Sequence, residues 1–75
     1  MVNTFAGGIQ VVVAIKDRDI EYWAAATLRE AAASTVQQLL APGWTATLTD
    51  RRLTTKQVAS LDLRPGGVRK LKYTP

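Results

Sequence analysis

The chain has 75 residues, a net charge of +4, and neither cysteine nor histidine. A chain this short buries only about 60% of the surface its unfolded form exposes, so it can build one core at most. Disulfides, thiolate metal sites and imidazole chemistry are excluded, and stability has to come from packing or from a second subunit.

The first eight residues show no periodicity and end in Gly7-Gly8, which predicts a mobile lead-in over 1–8 and one small domain over 9–75. The stretch Ile9-Gln10-Val11-Val12-Val13-Ala14-Ile15 is β-branched on both parities. A strand that is apolar on both faces needs cover on both, which suits a central strand or one that pairs across a subunit interface. It is also far shorter than the roughly 20 apolar residues of a membrane helix. No Lys or Arg precedes it, as one would in a signal peptide. The chain therefore reads as cytoplasmic, with no membrane partner.

Lys16-Asp17-Arg18-Asp19 is a polar break, and Asp17 or Asp19 can cap a following helix with Glu21 near its positive end. Alanines at 24–26 and 31–33 and the Pro42-Gly43 stop predict one long helix over 20–41. Its apolar arc holds Ile20, Ala24, Leu28, Ala31, Ala32, Val36 and Leu39, with Glu30, Ser34 and Gln37 opposite. Trp23 then sits about 140° from Leu28 on the polar side, where a chain terminus or loop covers it or a partner does.

Trp44-Thr45-Ala46-Thr47-Leu48-Thr49 alternates as a strand with one wet face. Thr54-Thr55-Lys56-Gln57 is a capping box. It predicts a short second helix that turns Val58, Leu61 and Ala59 inward. Arg64-Pro65-Gly66-Gly67 breaks it. The segment 68–73 is readable two ways. A strand sets Leu71 and Tyr73 against Lys70 and Lys72, and a helix groups Val68 with Leu71. The resulting fold class is α/β, ordered β-α-β-α with a final strand or short helix, one long helix lying on a small sheet. Adjacent first and second strands would be parallel, joined by a right-handed crossover.

The charge is unevenly spread. Over residues 1–50, Lys16, Arg18 and Arg29 stand against Asp17, Asp19, Glu21, Glu30 and Asp50. From residue 51 onward, Arg51, Arg52, Lys56, Arg64, Arg69, Lys70 and Lys72 stand against Asp62 alone. The positive field belongs to the last third of the chain and favours an anionic partner, nucleic acid first among them.

Catalytic constellations are absent from the sequence. Asp17, Asp19 and Glu21 would share one side of an extended chain, as a divalent cation requires, yet helix capping accounts for the same residues, and no metal or other cofactor is expected. Gly7-Gly8 and Gly66-Gly67 lack the Gly-Lys-Ser/Thr of a phosphate loop. Ser34 and Ser60 have no histidine to activate them. No enzymatic activity is expected.

Residues 53–71 resemble the helix-turn-helix of small excisionase-like DNA-binding proteins. There a capped helix with a small inward alanine, here Ala59, leads through a turn into a basic recognition helix. The resemblance implies that Arg69, Lys70 and Lys72 face a DNA groove. The chain departs from the pattern at Asp62-Leu63, where a glycine usually turns, and at Gly66-Gly67, which would open the recognition helix.

Two functions follow as expectations. In the first, Arg51, Arg52, Lys56, Arg64, Arg69, Lys70 and Lys72 contact the phosphates of a nucleic acid while Tyr73 or Trp44 offers a stacking surface. In the second, the chain is a homo-oligomer, most simply a dimer, assembled through Trp23 and an uncovered sheet surface that includes Val11 and Val13.

Overall fold

The computed structural model describes residues 8–75, so the lead-in expected over 1–8 lies outside the described residues except for Gly8. The elements run β1 (Gln10–Lys16), β2 (Asp19–Ala25), α1 (Arg29–Gln37), β3 (Thr45–Leu48), α2 (Thr55–Leu61) and β4 (Val68–Lys70). The strands form one sheet in the order β3-β1-β2-β4, with every pair antiparallel. The fold is mixed α/β, a small antiparallel sheet with two short helices.

The long helix expected over 20–41 is the main correction. Its first part is strand β2, and the helix is confined to nine residues. The polar break is a hairpin loop instead of a helix start. Lys16 pairs with Asp19 across Asp17-Arg18, and Asp17 takes φ +53, the positive value that a two-residue hairpin loop needs and that Asp tolerates. Ile20, Tyr22 and Trp23 are strand formers, and they supply the apolar edge of β1 with a partner that a helix cannot provide. The two strands expected to run parallel, 9–15 and 44–49, are neighbours as β1 and β3 but pair antiparallel, because the hairpin adds a reversal of the chain before the helix begins. The expected apolar arc breaks up too: Ile20, Leu28 and Leu39 are exposed, and only Ala32 and Val36 of α1 are buried.

The two sheet faces are covered unequally. On one, α1 lies over Val12 and Ala25, which pack against Ala32 and Val36 with Trp23, Leu40, Ala46, Leu48 and Val68 around them. On the other, Ala24 packs with Leu61 of α2 and with Leu71. Alanines 24–26 are buried to within 2%, since a strand sandwiched this closely has room only for methyl groups. The α2 cover stops short of the β1–β2 turn, so Ile15 and Ile20, directly opposite one another, remain 42% and 59% exposed.

The open edge of β3 is closed by a side chain. Gln37 Nε2 donates to the Trp44 carbonyl and Gln37 Oε1 accepts from the Ala46 N–H, both at 2.8 Å, an amide standing in for a neighbouring strand. Gly43, at φ +98, turns the chain beneath the Lys16 stem, where a Cβ would come within 3.2 Å of its Cε. The capping box of α2 forms as the sequence predicts: Thr54 Oγ1 accepts from Gln57 N–H at 3.1 Å, and Gln57 Oε1 from Thr54 N–H at 2.8 Å. Ala59, expected inward, is exposed.

Of the segment 68–73, only Val68–Lys70 forms a strand, and residues 71–73 take neither of the two expected forms. Its alternation places Leu71 on the α2 face and Lys70 on the α1 face, across from Trp23. No recognition helix exists there, so the helix-turn-helix resemblance does not extend to the fold. Gly66 and Gly67 instead tie the turn to the end of β2: Gly66 N–H donates to the Ala26 carbonyl and Ala26 N–H to the Gly67 carbonyl.

Candidate anion-binding surface

The basic residues divide by the elements that carry them. Arg51 and Arg52 lie in the connection from β3 to α2, Lys56 in the first turn of α2, and Arg64 just after it. Arg69 projects from β4 on the same side and donates from Nη1 to the Leu61 carbonyl at 2.7 Å. It thereby satisfies an orphan carbonyl at the end of α2 and complements the helix dipole there. Five cations are gathered around α2 with Asp62 and, at the margin, Asp50 as the acids. Around α1 the charges are Arg29 and Glu30.

Several of these cations already have work within the fold. The Arg51 guanidinium lies 5.2 Å from the centre of the Tyr22 ring and donates to the Pro75 carbonyl at 2.8 Å. Lys70, on the α1 face, pairs with Glu21 at 3.0 Å. Among the described residues, the side chains of Arg52, Lys56, Arg64 and Lys72 make no hydrogen bond or ion pair, and all four residues are exposed. These four are available to an outside anion.

Two open clefts flank this layer. One, of about 530 Å³, is bordered by Arg29, Arg51 and Arg52, but Arg29 is already directed at Gln10 and Asp50, both at 3.4 Å. The other, of about 620 Å³, lies at the edge of β2 and brings together Tyr22, Trp44, Lys70, Lys72 and Tyr73. Trp44 and Tyr73, which the sequence can only nominate one by one as stacking surfaces, therefore line a single cleft.

The residues expected to form a subunit interface are placed differently. Trp23 is half-buried on the α1 face, packed against the core, and its indole N–H donates to Glu21 at 3.3 Å. Val11 is 1% exposed and so is not an accessible contact. Val13 is half-buried, on the same face as Ile15 and Ile20. Those two isoleucines are the apolar surface that sequence reasoning misses, since the helical pattern places Ile20 on a helix.

Among the described residues, no three acidic groups converge as a metal site requires, and none of the helices is long and apolar enough to cross a membrane. No protein-family model, no curated protein and no solved structure matches the chain.

Proposed function

We propose that this protein is a non-enzymatic binding module that contacts nucleic acid through the layer around α2. The observation carrying this reading is the gathering of Arg51, Arg52, Lys56, Arg64 and Arg69 about one short helix, with Asp62 the acid among them. Such a field draws a polyanion and gains from the release of its counterions. Arg52, Lys56 and Arg64 support no other part of the fold, so replacing all three by alanine leaves the melting curve in place. It lowers the slope of log affinity against log salt by about 3, roughly one for each phosphate that is no longer neutralised. Wild-type protein that fails to bind DNA or RNA at low salt overturns the reading.

A second reading, self-association, is favoured by the exposed Ile15–Ile20 pair beside half-buried Val13. Apolar side chains held flat on a sheet are a natural seat for a second copy. Ile20→Lys then converts a dimer to a monomer in sedimentation, and a monomeric wild type at high concentration removes this reading.

A further inference from the structure

We propose that the cleft at the outer edge of β2 binds unpaired nucleobases, so that the nucleic acid this protein takes is single-stranded. The inference rests on the polyanion reading above and adds a site to it. It starts from the backbone of β2. The polar groups of its even-numbered residues face away from β1, as the bonds from Leu71 N–H to the Tyr22 carbonyl and from Ala26 N–H to the Gly67 carbonyl show. Strand β4 pairs only with Trp23–Ala25, and beyond Leu71 the chain peels away. Among the described residues, the N–H and C=O of Ile20 and the N–H of Tyr22 are consequently left without a protein partner. An open donor and acceptor on one residue are what the hydrogen-bonding edge of a base requires.

These groups border the cleft of about 620 Å³ that Trp44, Lys72 and Tyr73 also line, a size ordinary for small-ligand sites. The Tyr22 ring is occupied by Arg51, whereas Tyr73 is 39% exposed and Trp44 partly so, leaving two rings on which a base can stack. The Lys70 ammonium is held by Glu21 at 3.0 Å, so the unpaired Lys72 is the phosphate contact. Asp19, on the same wall, accepts from an exocyclic amine.

A duplex cannot use these features, because its base faces are stacked and its pairing edges are taken. Groove reading is also closed to this fold: α2 has seven residues with Lys56 as its cation, and β4 has three residues. A second copy pairing β2 with β2 about Ile20 would set Asp19 against Glu21 of the other copy, like charges directly opposite.

The test titrates the full chain with single-stranded DNA of about ten nucleotides, a hairpin duplex, heparin, and a basic-apolar peptide with the sequence of residues 68–75. The single strand is expected to quench tryptophan emission and to bind about ten-fold more tightly than the duplex. Tyr73→Ala and Trp44→Leu each cost about ten-fold in single-strand affinity and leave duplex affinity unchanged. Tyr73→Phe restores binding, which separates stacking from folding. Equal affinity for single strand, duplex and heparin without quenching overturns the cleft assignment while the general polyanion reading stands. Protection of the Ile20 amide by the peptide and not by the oligonucleotide also overturns it, giving the edge to an added strand. No binding of any polyanion removes both.

Discussion

The two faces of the sheet are built to different standards. Beneath α1, Val12, Ala25, Ala32 and Val36 are completely buried, and the helix carries one acid and one base. Over the other face, α2 contributes Leu61 as its buried residue, leaves Ile15 and Ile20 uncovered and collects five cations. Like charges cannot be packed tightly without mutual repulsion, and a surface that meets an anion must stay open to water. The cations around α2 have accordingly been placed on the less completely covered side of the sheet.

The sharpest way to break this contrast is Val36→Asp. An unpaired carboxylate in a fully buried site costs about 4–5 kcal/mol, and a core of this size rarely supplies more than about 3–5 kcal/mol. The far-ultraviolet circular dichroism of that variant is expected to be that of an unfolded chain. Leu61→Ala on the opposite face costs about 2 kcal/mol, the low end for such a truncation, because half-buried Leu53 and Leu63 can close in. Hydrogen exchange should speed up in α2 and spare β1. Uniform acceleration through the sheet would show that the two faces are one cooperative unit.

Gln37→Ala probes the edge that the α1 side protects. Loss of the two 2.8 Å bonds to β3 costs about 1–2 kcal/mol and exposes the strand edge, so the variant associates with rising concentration in light scattering. Thr54→Ala removes one half of the capping box of α2 and costs about 1 kcal/mol in a denaturant melt. The smallest effect belongs to Glu21→Gln, which breaks a partly exposed pair with Lys70. Its cost, about 0.5 kcal/mol or less, disappears at high salt.

The capping box, the alternation of 44–49 and the charge division were legible because each depends on neighbours in sequence. Thr54 and Gln57 are three residues apart and need nothing else to find one another. The segment 20–26 misleads for the opposite reason. Its alanines favour a helix by about 1 kcal/mol or less each, a preference that the ladder between β1 and β2 overrides. The convergence of Trp44 with Tyr73 had no sequence signal either, since one precedes β3 and the other follows β4, far apart along the chain, and only the folded chain brings them to one cleft.

By itself the sequence determined that these residues offer no disulfide, thiolate or imidazole chemistry, where the positive charge lies, and that the stretch around Val11–Val13 is apolar on both sides, for these are properties of composition and near-neighbour order. Tertiary structure alone decided what would cover that strand. The turn at Asp17-Arg18 could start a helix or close a hairpin, and the hairpin prevails because β1 has two edges of unsatisfied backbone that only other strands can pair. Once β2 took one edge and β3 the other, the short β4 left Ile20 open beside two aromatic rings and the unpaired ammonium of Lys72. That arrangement exists only when distant segments meet.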